Sequence, residues 1–259
     1  MQTISTVHDP EGRFIPLINQ IRNHLRKNFN QAVIAHTATT SKKVISQLKK
    51  LGFNPILGGK FGESRKMVLK KALQLKSNHF FCCDFDKIIH WILTAPEELK
   101  SLLKTKPEAD FVVLGRNKTA WSSYPDSWIK TETIINRLVA KIIGIPADIY
   151  TTVYILNRQA AEVIAQNAQE KNWGACAEWP LLAYKAGLKL DHQECQGLSW
   201  EDPDRFQKEI KEAGNLELWK QIKYDSVQEW KKRLSSALEQ ITVIEKFETK
   251  KLPSFSVFN

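Results

Sequence analysis

The first half of the chain alternates between two spacings of apolar residues, and this pattern predicts strands that alternate with helices. Compact apolar runs have the length of buried strands at 3–8, 31–36, 54–57, 79–83 and 110–114. Between them, apolar residues recur every three or four positions, which predicts helices at 14–29, 41–51, 62–76 and 96–103. Such an alternation favours an α/β fold whose sheet is mostly parallel and covered by helices on both faces.

The second half of the chain is less regular. Its pattern predicts helices at 127–143, 158–169 and 181–185. It also predicts strands at 151–156 and 188–195, the second at an edge of the sheet. A long helix at 226–248 carries an apolar stripe of Val227, Trp230, Leu234, Leu238 and Ile241. We expect this stripe to pack on the body of the protein, and the alternative is the seam of a homodimer. We expect the tail at 250–259 to be loosely held.

Two carboxylates follow the fourth predicted strand. Asp84-Phe85-Asp86 comes directly after the apolar run at 79–83. Residues two apart in a strand share a face, so both carboxylates would point one way and Phe85 into the core. Oxygen ligands of this kind suit Mg²⁺ or Mn²⁺, the ions that bridge a diphosphate. Asp202-Pro203-Asp204 has the same spacing, but it lies in a predicted polar loop with no strand before it.

Loop residues also follow three other predicted strands. They are His8 and Asp9, Gly58 and Gly59, and Gly115 and Arg116. Because ligands of a parallel α/β sheet bind outside the carboxyl ends of its strands, we expect these loops and the Asp84 loop to meet at one crevice. Arg116 would there clamp a phosphate or an acceptor carboxylate.

The composition narrows the class of protein. Apolar residues make up 42% of the 259 residues, enough for a substantial core. No apolar run approaches the roughly 18 residues that span a membrane, and the N-terminus lacks the pattern of a signal peptide, so we expect a cytoplasmic protein. The four cysteines have neither zinc spacing nor a Cys-x-x-Cys motif, and we expect reduced thiols that pack in the core.

The net charge is +10, and basic residues gather on the predicted helices. This pattern is typical of solvated helix faces. It also suits anionic partners such as a nucleotide, a phosphorylated acceptor or a membrane surface contacted peripherally. No recognition motif for nucleic acid accompanies the charge, so we expect no nucleic-acid partner.

In order and spacing these features resemble the GT-A class of nucleotide-diphospho-sugar glycosyltransferases. The resemblance covers roughly residues 3–200 and is carried by Cys83-Asp84-Phe85-Asp86, Gly62-Glu63-Ser64-Arg65 and Ala177-Glu178-Trp179-Pro180. It points most to the family-2-like and mannosylglycerate-synthase-like groups, with their many uncharacterised bacterial members. It implies a GT-A fold and metal-dependent transfer of a sugar from a nucleotide-diphosphate sugar to a hydroxyl acceptor, which would be a small molecule, a glycan or a lipid-linked molecule.

The resemblance also implies a division of the chain and roles for individual residues. Residues 1–117 would bind the nucleotide sugar, 118–205 would form the acceptor half of the same domain, and 206–259 a C-terminal helical extension. The nucleotide and its phosphates would contact a set of loop and helix-start residues, His8, Asp9, Glu11, Gly59, Lys60, Gly62, Arg65, Asp84 and Arg116. Asp86 would bind Mn²⁺ or Mg²⁺, with Asp84 on the ribose or a metal-bound water and His192 as a further metal ligand. Glu178 matches the general base of inverting members.

Structural interpretations of the same residues stay open. Asp9-Pro10 is also typical of a turn, the glycines at 58–62 of a surface loop with nearby cations, and Glu178 of a cap on the helix begun at Trp179-Pro180. Two other functions are alternatives. A nucleotidyltransferase on a related fold would carry a Gly-rich basic loop after the first strand, which 8–13 does not resemble. A non-catalytic nucleotide- or sugar-binding homologue is the other, because Cys176 stands where some relatives are acidic.

Overall fold

The structure is a computed structural model that describes residues 1–29 and 31–248. The tail predicted at 250–259 lies outside the described residues. The described residues form seven strands, β1 Gln2–Val7, β2 Val33–His36, β3 Asn54–Leu57, β4 His79–Cys82, β5 Phe111–Arg116, β6 Tyr154–Asn157 and β7 Leu190–Cys195. They make one sheet in the order β3-β2-β1-β4-β6-β5-β7.

The sheet is mostly parallel. β1 runs parallel to both of its neighbours, β2 and β4, and β3 continues this arrangement outward. β6 runs antiparallel to β4 and β5, and β7 pairs in parallel with β5 at the edge. The prediction of a mostly parallel α/β sheet flanked by helices is therefore confirmed.

Helices cover the sheet on both faces, because alternate strand residues point to opposite sides. Phe81 of β4 belongs to one buried cluster with Phe14, Val44 and Ile88, whereas its neighbour Phe80 belongs to a second cluster with Val68, Ala161 and Ala183. The first helices are α1 Phe14–Gln20, α2 Arg22–Asn28, α3 Lys42–Lys50, α4 Phe61–Leu73, α5 Phe85–Thr94, α6 Pro96–Lys104 and α7 Lys118–Ser122. The others are α8 Asp126–Ile143, α9 Arg158–Asn167, α10 Ala175–Lys185, α11 Asp202–Arg205, α12 Gln207–Glu212, α13 Leu216–Tyr224 and α14 Val227–Glu248.

The chain departs from the predicted geometry directly after β4. The strand ends at Cys82, Asp84 occupies the N-cap position, and Phe85 is the first residue of α5. Phe85 is buried as predicted, edge-on to Phe14 and Phe53 at ring-centroid distances of 5.7 and 5.9 Å. The prediction that Asp84 and Asp86 share one face of a strand is wrong, because a helix begins between them.

The long C-terminal helix presents a different face from the one predicted. Val227, Leu234 and Leu238 of the apolar stripe are 87%, 55% and 63% exposed. The buried side of α14 consists of Ser236, Ala237, Gln240, Val243 and Ile244. This side of the helix packs on α8 and α10, which leaves Val227, Leu234 and Leu238 turned to solvent.

An aromatic cluster fixes the C-terminal helices to the sheet domain. Its buried members are Tyr124, Trp200, Trp219 and Tyr224, with Trp128 and Phe206 packed against them. Within the described part of the chain, no helix is both long and apolar enough to cross a bilayer. All four cysteines are buried and unpaired, as predicted, and burial raises the pKa of the Cys82, Cys176 and Cys195 thiols to about 12.

Candidate functional site

A cavity of about 610 Å³ opens at the carboxyl ends of the parallel strands. The loops after four strands each contribute to its lining, through His8 after β1, Gly59 after β3, Asp84 after β4 and Arg116 at the end of β5. These are the four loops that the sequence places at one crevice. Thr37, after β2, also lines the cavity.

Asp84 is held from three sides. One carboxylate oxygen accepts hydrogen bonds from the Thr6 hydroxyl at 2.5 Å and from the buried Arg65 guanidinium at 2.7 Å. The other accepts from the Thr152 hydroxyl at 3.0 Å. Arg65 also donates to the Thr152 carbonyl, and Thr152 has a φ of 55°, which is unusual for a β-branched residue. Asp84 and Arg65 therefore lock β1, α4 and this strained residue together.

Asp86 faces the cavity from the first turn of α5. About a quarter of its side chain is exposed, and its carboxylate lies 3.7 Å from the Arg205 guanidinium. Burial, with support from Glu201 and Asp84, raises the pKa of Asp86 to about 6 against the opposing effect of Lys87 and Arg205. Asp86 is thus the less firmly bound carboxylate of the pair.

Lys87 forms a buried ion pair on the same wall. Its ammonium lies 3.0 Å from Glu201, whose second oxygen accepts a hydrogen bond from Tyr124 at 3.1 Å. Although burial disfavours the charge, Lys87 outweighs it and lowers the pKa of Glu201 to about 2. Sequence reasoning missed both residues, although Lys87 directly follows the acidic pair.

Asp202-Pro203-Asp204 is part of this site, contrary to the prediction of a polar loop. The three residues open α11, where Asp202 pairs with Arg205 and lines the cavity. Contacts with distant parts of the chain hold this segment at the site. Asp202 accepts a hydrogen bond from Tyr224 at 2.5 Å, and Asp204 accepts one from His90 of α5 at 2.8 Å. The spacing of Asp202 and Arg205, an i,i+3 helical pair, was the available sequence signal.

Arg116 is engaged by carboxylates of the protein itself. Its guanidinium bonds both oxygens of Asp148 at 2.7 Å and Glu132 at 2.6 Å. It also lies 3.8 Å from the centroid of the Trp121 ring. All three charged groups are buried, so the role of Arg116 as a phosphate clamp stays a prediction that would need this network to open.

The residues after β1 have separate surroundings. His8 lines the cavity with its Nδ1 2.8 Å from the Thr37 hydroxyl. Asp9 is buried and accepts hydrogen bonds from the backbone N–H groups of Arg13 and Phe14 at 2.9 and 2.8 Å, so it fixes the turn into α1. Glu11 is exposed and pairs with Arg13 at 2.7 Å. Neither acidic residue lines the cavity.

The start of α4 is closed by protein. The N–H groups of Gly62 and Glu63 both donate to the Lys171 carbonyl, at 2.8 and 3.3 Å, and the Lys60 N–H donates to the Glu63 carboxylate. A Cβ on Gly62 would lie 2.4 Å from the Glu170 carbonyl oxygen, so this glycine serves close packing. Of the predicted loop residues, Gly59 lines the cavity, and Lys60, Gly62 and Arg65 do not.

Glu178 lies in α10, behind the cavity wall. Its carboxylate accepts the backbone N–H groups of Gln169 at 2.7 Å and Glu170 at 3.1 Å, and burial raises its pKa. It therefore holds the loop whose Lys171 carbonyl closes α4. Its role as a general base stays a prediction, and its carboxylate would have to leave these amides to reach an acceptor.

The predicted metal ligands are not brought together. His192 is on the edge strand β7 beside Gly115, and it does not line the cavity. Asp84 has both oxygens engaged, and Asp86 shares its surroundings with Arg205 and Lys87. Within 1–29 and 31–248, no three His, Cys, Asp or Glu side chains form a cluster that could hold a metal ion. The residues present do not fit a metal ion held by protein ligands alone.

The C-terminal helices supply the wall that sequence reasoning missed. Their residues in the lining are Arg205, Phe206, Lys223, Tyr224, Glu229, Lys232 and Arg233. The Lys223 ammonium lies 3.4 Å from the centroid of the Phe206 ring, and it makes no ion pair with any described residue. Arg233 stacks 3.2 Å from the Trp128 ring centroid and pairs with Glu229 at 2.9 Å.

No protein-family model and no curated sequence matches the chain. Solved structures of similar fold include glucosyl-3-phosphoglycerate synthase from Mycobacterium tuberculosis in complex with uridine diphosphate, 11% identical, with a TM-score of 0.49 and coverage of 74% of this chain and 69% of that one. The same synthase in complex with Mn²⁺, UDP-glucose and phosphoglyceric acid is 12% identical, with a TM-score of 0.48 and coverage of 74% and 68%. CMP:2-keto-3-deoxy-manno-octonic acid synthetase in complex with CTP is 10% identical, with a TM-score of 0.48 and coverage of 82% and 98%. These likenesses concern the fold.

Proposed function

We propose that the protein is a glycosyltransferase that moves a sugar from a nucleotide-diphosphate sugar to a hydroxyl acceptor. The observation that carries the proposal is the cavity of about 610 Å³ at the carboxyl ends of β1, β3, β4 and β5. Open parallel sheets bind nucleotides at this edge. The cavity lining combines acidic residues, among them Asp86, Glu201 and Asp202, with the cations Lys87, Arg205 and Lys223 and an aromatic wall.

The lining suggests a place for each part of the donor. His8 and Thr37 offer hydrogen-bonding groups to the nucleoside at the ends of β1 and β2. Lys87, Arg205 and Lys223 would lie by the diphosphate, which gains negative charge as the bond to the sugar breaks. Fixed cations in a partly buried cavity stabilise that developing charge. Trp173, which also lines the cavity and is 38% exposed, offers a ring face to a sugar.

The requirement for Mn²⁺ or Mg²⁺ stays a prediction. Asp86 is the carboxylate of the pair that remains free to share with such an ion, since Asp84 is fully engaged. Lys87 and Arg205 already supply positive charge at the same place. Sugar transfer measured in EDTA and over a Mn²⁺ titration decides this point, because a metal-dependent enzyme is inactive in EDTA.

Nucleotidyl transfer is the second candidate, because the same three cations would also suit a triphosphate. Product analysis tests the two functions. The full-length chain is incubated with UDP-, GDP- or ADP-glucose and candidate acceptors, and separately with nucleoside triphosphates and sugar phosphates. Release of nucleoside diphosphate with a glycosylated acceptor supports the proposal. Release of pyrophosphate would favour the second candidate, and nucleotide binding with neither product would indicate a non-catalytic homologue.

A further inference from the structure

The apolar stripe predicted on α14 lies on the surface of the protein and continues onto α8. Val227, Leu234 and Leu238 of the stripe are 87%, 55% and 63% exposed, and Ile134 of α8 is 56% exposed. Three further apolar residues of the two helices are partly buried beside them: Leu138, Trp230 and Ile241. We call these seven residues the α8–α14 face.

Contacts between the two helices show that they run side by side and in parallel. The contacts join Ser127 to Asp225 at 2.9 Å, Trp128 to Glu229 at 3.2 Å and Glu132 to Arg233 at 3.7 Å. Because the residue numbers rise together in these pairs, Ile134 and Leu234 lie at the same level, just beyond the last pair. Further along, Leu138 and Ile241 pack against one buried cluster. The face is therefore continuous across both helices.

The α8–α14 face differs from the single apolar residues that every protein surface carries. From Val227 to Ile241 it is about 21 Å long, given the rise per residue of an α-helix. A contiguous apolar patch of this kind indicates a surface that meets a partner. The partner has to offer an apolar surface of similar length.

Cations border the face along both helices. They are Lys130, Arg137 and Lys141 of α8 and Lys231 of α14, all exposed. Lys130 pairs with Asp126 at 2.7 Å, and the other three make no ion pair with any described residue. The second exposed carboxylate within 126–141 and 227–241 belongs to Glu239, which is turned to the Trp173 N–H, and Glu245 and Glu248 follow only beyond Ile241. The border of the face is therefore positive.

These charges decide which partner suits the face. A second copy bound about a two-fold axis would bring the same cations of both chains together, where they repel each other. An anionic lipid surface attracts them, while apolar side chains enter the boundary between headgroups and acyl chains. Trp230, with an apolar ring and a polar N–H, suits that boundary.

We propose that the α8–α14 face binds the surface of an anionic lipid bilayer. The exposed apolar side chains would enter the boundary below the headgroups, and Arg137, Lys141 and Lys231 would bind the anionic headgroups. Arg137 and Lys141 lie outside the lining of the candidate site, so this binding does not depend on the proposed function.

The test measures cosedimentation of the full-length chain with vesicles of phosphatidylcholine, with and without phosphatidylserine. We expect binding to the vesicles that contain phosphatidylserine, binding at least tenfold weaker to the others, and release at high salt. The variant Leu234→Ser, Leu238→Ser should weaken binding about tenfold or more, because these side chains no longer leave water for the bilayer. The variant Arg137→Ala, Lys141→Ala should weaken it about fivefold for each cation removed.

Matched control variants change residues of the same kind at the other end of the sheet. Leu57→Ser replaces a residue of the edge strand β3 that is 61% exposed. Lys49→Ala, Lys50→Ala removes two exposed cations of α3. Neither control should change vesicle binding. The leucine and the cation variants test the face separately, so one that fails to fold leaves the other to decide.

Several results would overturn the proposal: no binding to phosphatidylserine vesicles, equal binding to both kinds of vesicle, or face variants that bind as the unmodified protein does. Equal losses in the control variants would show that net charge alone attracts the protein, and the proposal would fail. Sedimentation velocity provides the remaining arm. If the unmodified chain is a dimer that ignores vesicles and Leu234→Ser, Leu238→Ser makes it a monomer, a second copy covers the face and the proposal is wrong.

Discussion

The two acidic residues of Asp84-Phe85-Asp86 should differ sharply in what they do for stability. Asp84→Asn removes the charge that faces Arg65, whose side chain is only 6% exposed. It also disturbs the hydrogen bonds from Thr6 at 2.5 Å and Thr152 at 3.0 Å. Removing one partner of a buried ion pair costs about 3–5 kcal/mol, because the other charge stays buried. The free energy of unfolding should fall by that amount.

Asp86→Asn is the matched control. The nearest cation to its carboxylate is at 3.7 Å, and burial already raises the pKa of Asp86 to about 6. A raised pKa means that the folded protein disfavours this carboxylate at pH 7, so loss of the charge should raise the free energy of unfolding, by about 1–3 kcal/mol, where Asp84→Asn lowers it.

Equilibrium unfolding in urea at pH 7, followed by the fluorescence of the eight tryptophans, measures both effects. With a slope of about 3 kcal/mol per molar urea, Asp84→Asn should lower the midpoint by roughly 1–1.7 M at unchanged slope. Adding Arg65→Met should cost much less in the Asp84→Asn background than in the unmodified protein. Equal midpoint shifts for the two aspartate variants, or strictly additive costs with Arg65→Met, would refute the reasoning.

Three further predictions follow from buried charges elsewhere in the site. Arg116→Met removes the buried cation that pairs with Asp148 and Glu132, so the free energy of unfolding in urea should fall by about 3–5 kcal/mol. The nucleotide-sugar affinity of the folded variant should be unchanged. Lost affinity with unchanged stability would instead make Arg116 a ligand clamp. The folded-state pKa of Glu201, about 2, lies below its ordinary value of 4.5, so its stabilisation is present above pH 4.5 and is lost as the pH falls towards 2. The unmodified protein should therefore lose about 3 kcal/mol more over that interval than Glu201→Gln, and parallel pH profiles of unfolding free energy would contradict this. Glu178→Gln should lower the free energy of unfolding by about 1–3 kcal/mol and speed hydrogen exchange at the Gln169 and Glu170 amides, which Glu178 now binds. If exchange is unchanged and sugar transfer alone is lost, Glu178 acts as the general base.

The sequence pattern predicted elements correctly where the residues that end them are close in sequence. Gly52 before β3 and Gly58-Gly59 after it delimit the strand, and the predicted bounds of 54–57 match the structure. The helix α8 was also predicted to end before Gly144, which has a φ of 78° that favours glycine. In both cases the signal lies within a few residues of the boundary.

The prediction failed where contacts between residues distant in sequence, or a competing local spacing, decide the structure. α5 was missed because Asp84-Phe85-Asp86 continues the alternation of a strand, although Ile88, Ile89 and Ile92 already have helical spacing. The wall made by Asp202, Arg205 and Lys223 depends on the packing of Trp219 and Tyr224 against Trp200. No spacing within the C-terminal segment encodes which loops of the sheet it will cover, so Arg205 and Lys223 could not be placed in the cavity from sequence.

The central claim, that this cavity binds a nucleotide-diphosphate sugar through its own cations, is tested most directly at Lys223. This lysine lines the cavity without an ion pair to any described residue, and its ammonium lies over the rings of Phe206, Trp219 and Tyr224. Its loss should therefore remove the proposed phosphate contact and no internal salt bridge. Calorimetric titration of UDP-, GDP- and ADP-glucose should show binding of at least one of them. Lys223→Ala should weaken that binding about tenfold, as expected for one charge-assisted hydrogen bond to phosphate, and Lys141→Ala should leave it unchanged. Absence of binding by all three, or equal affinity in Lys223→Ala and the unmodified protein, would contradict the account.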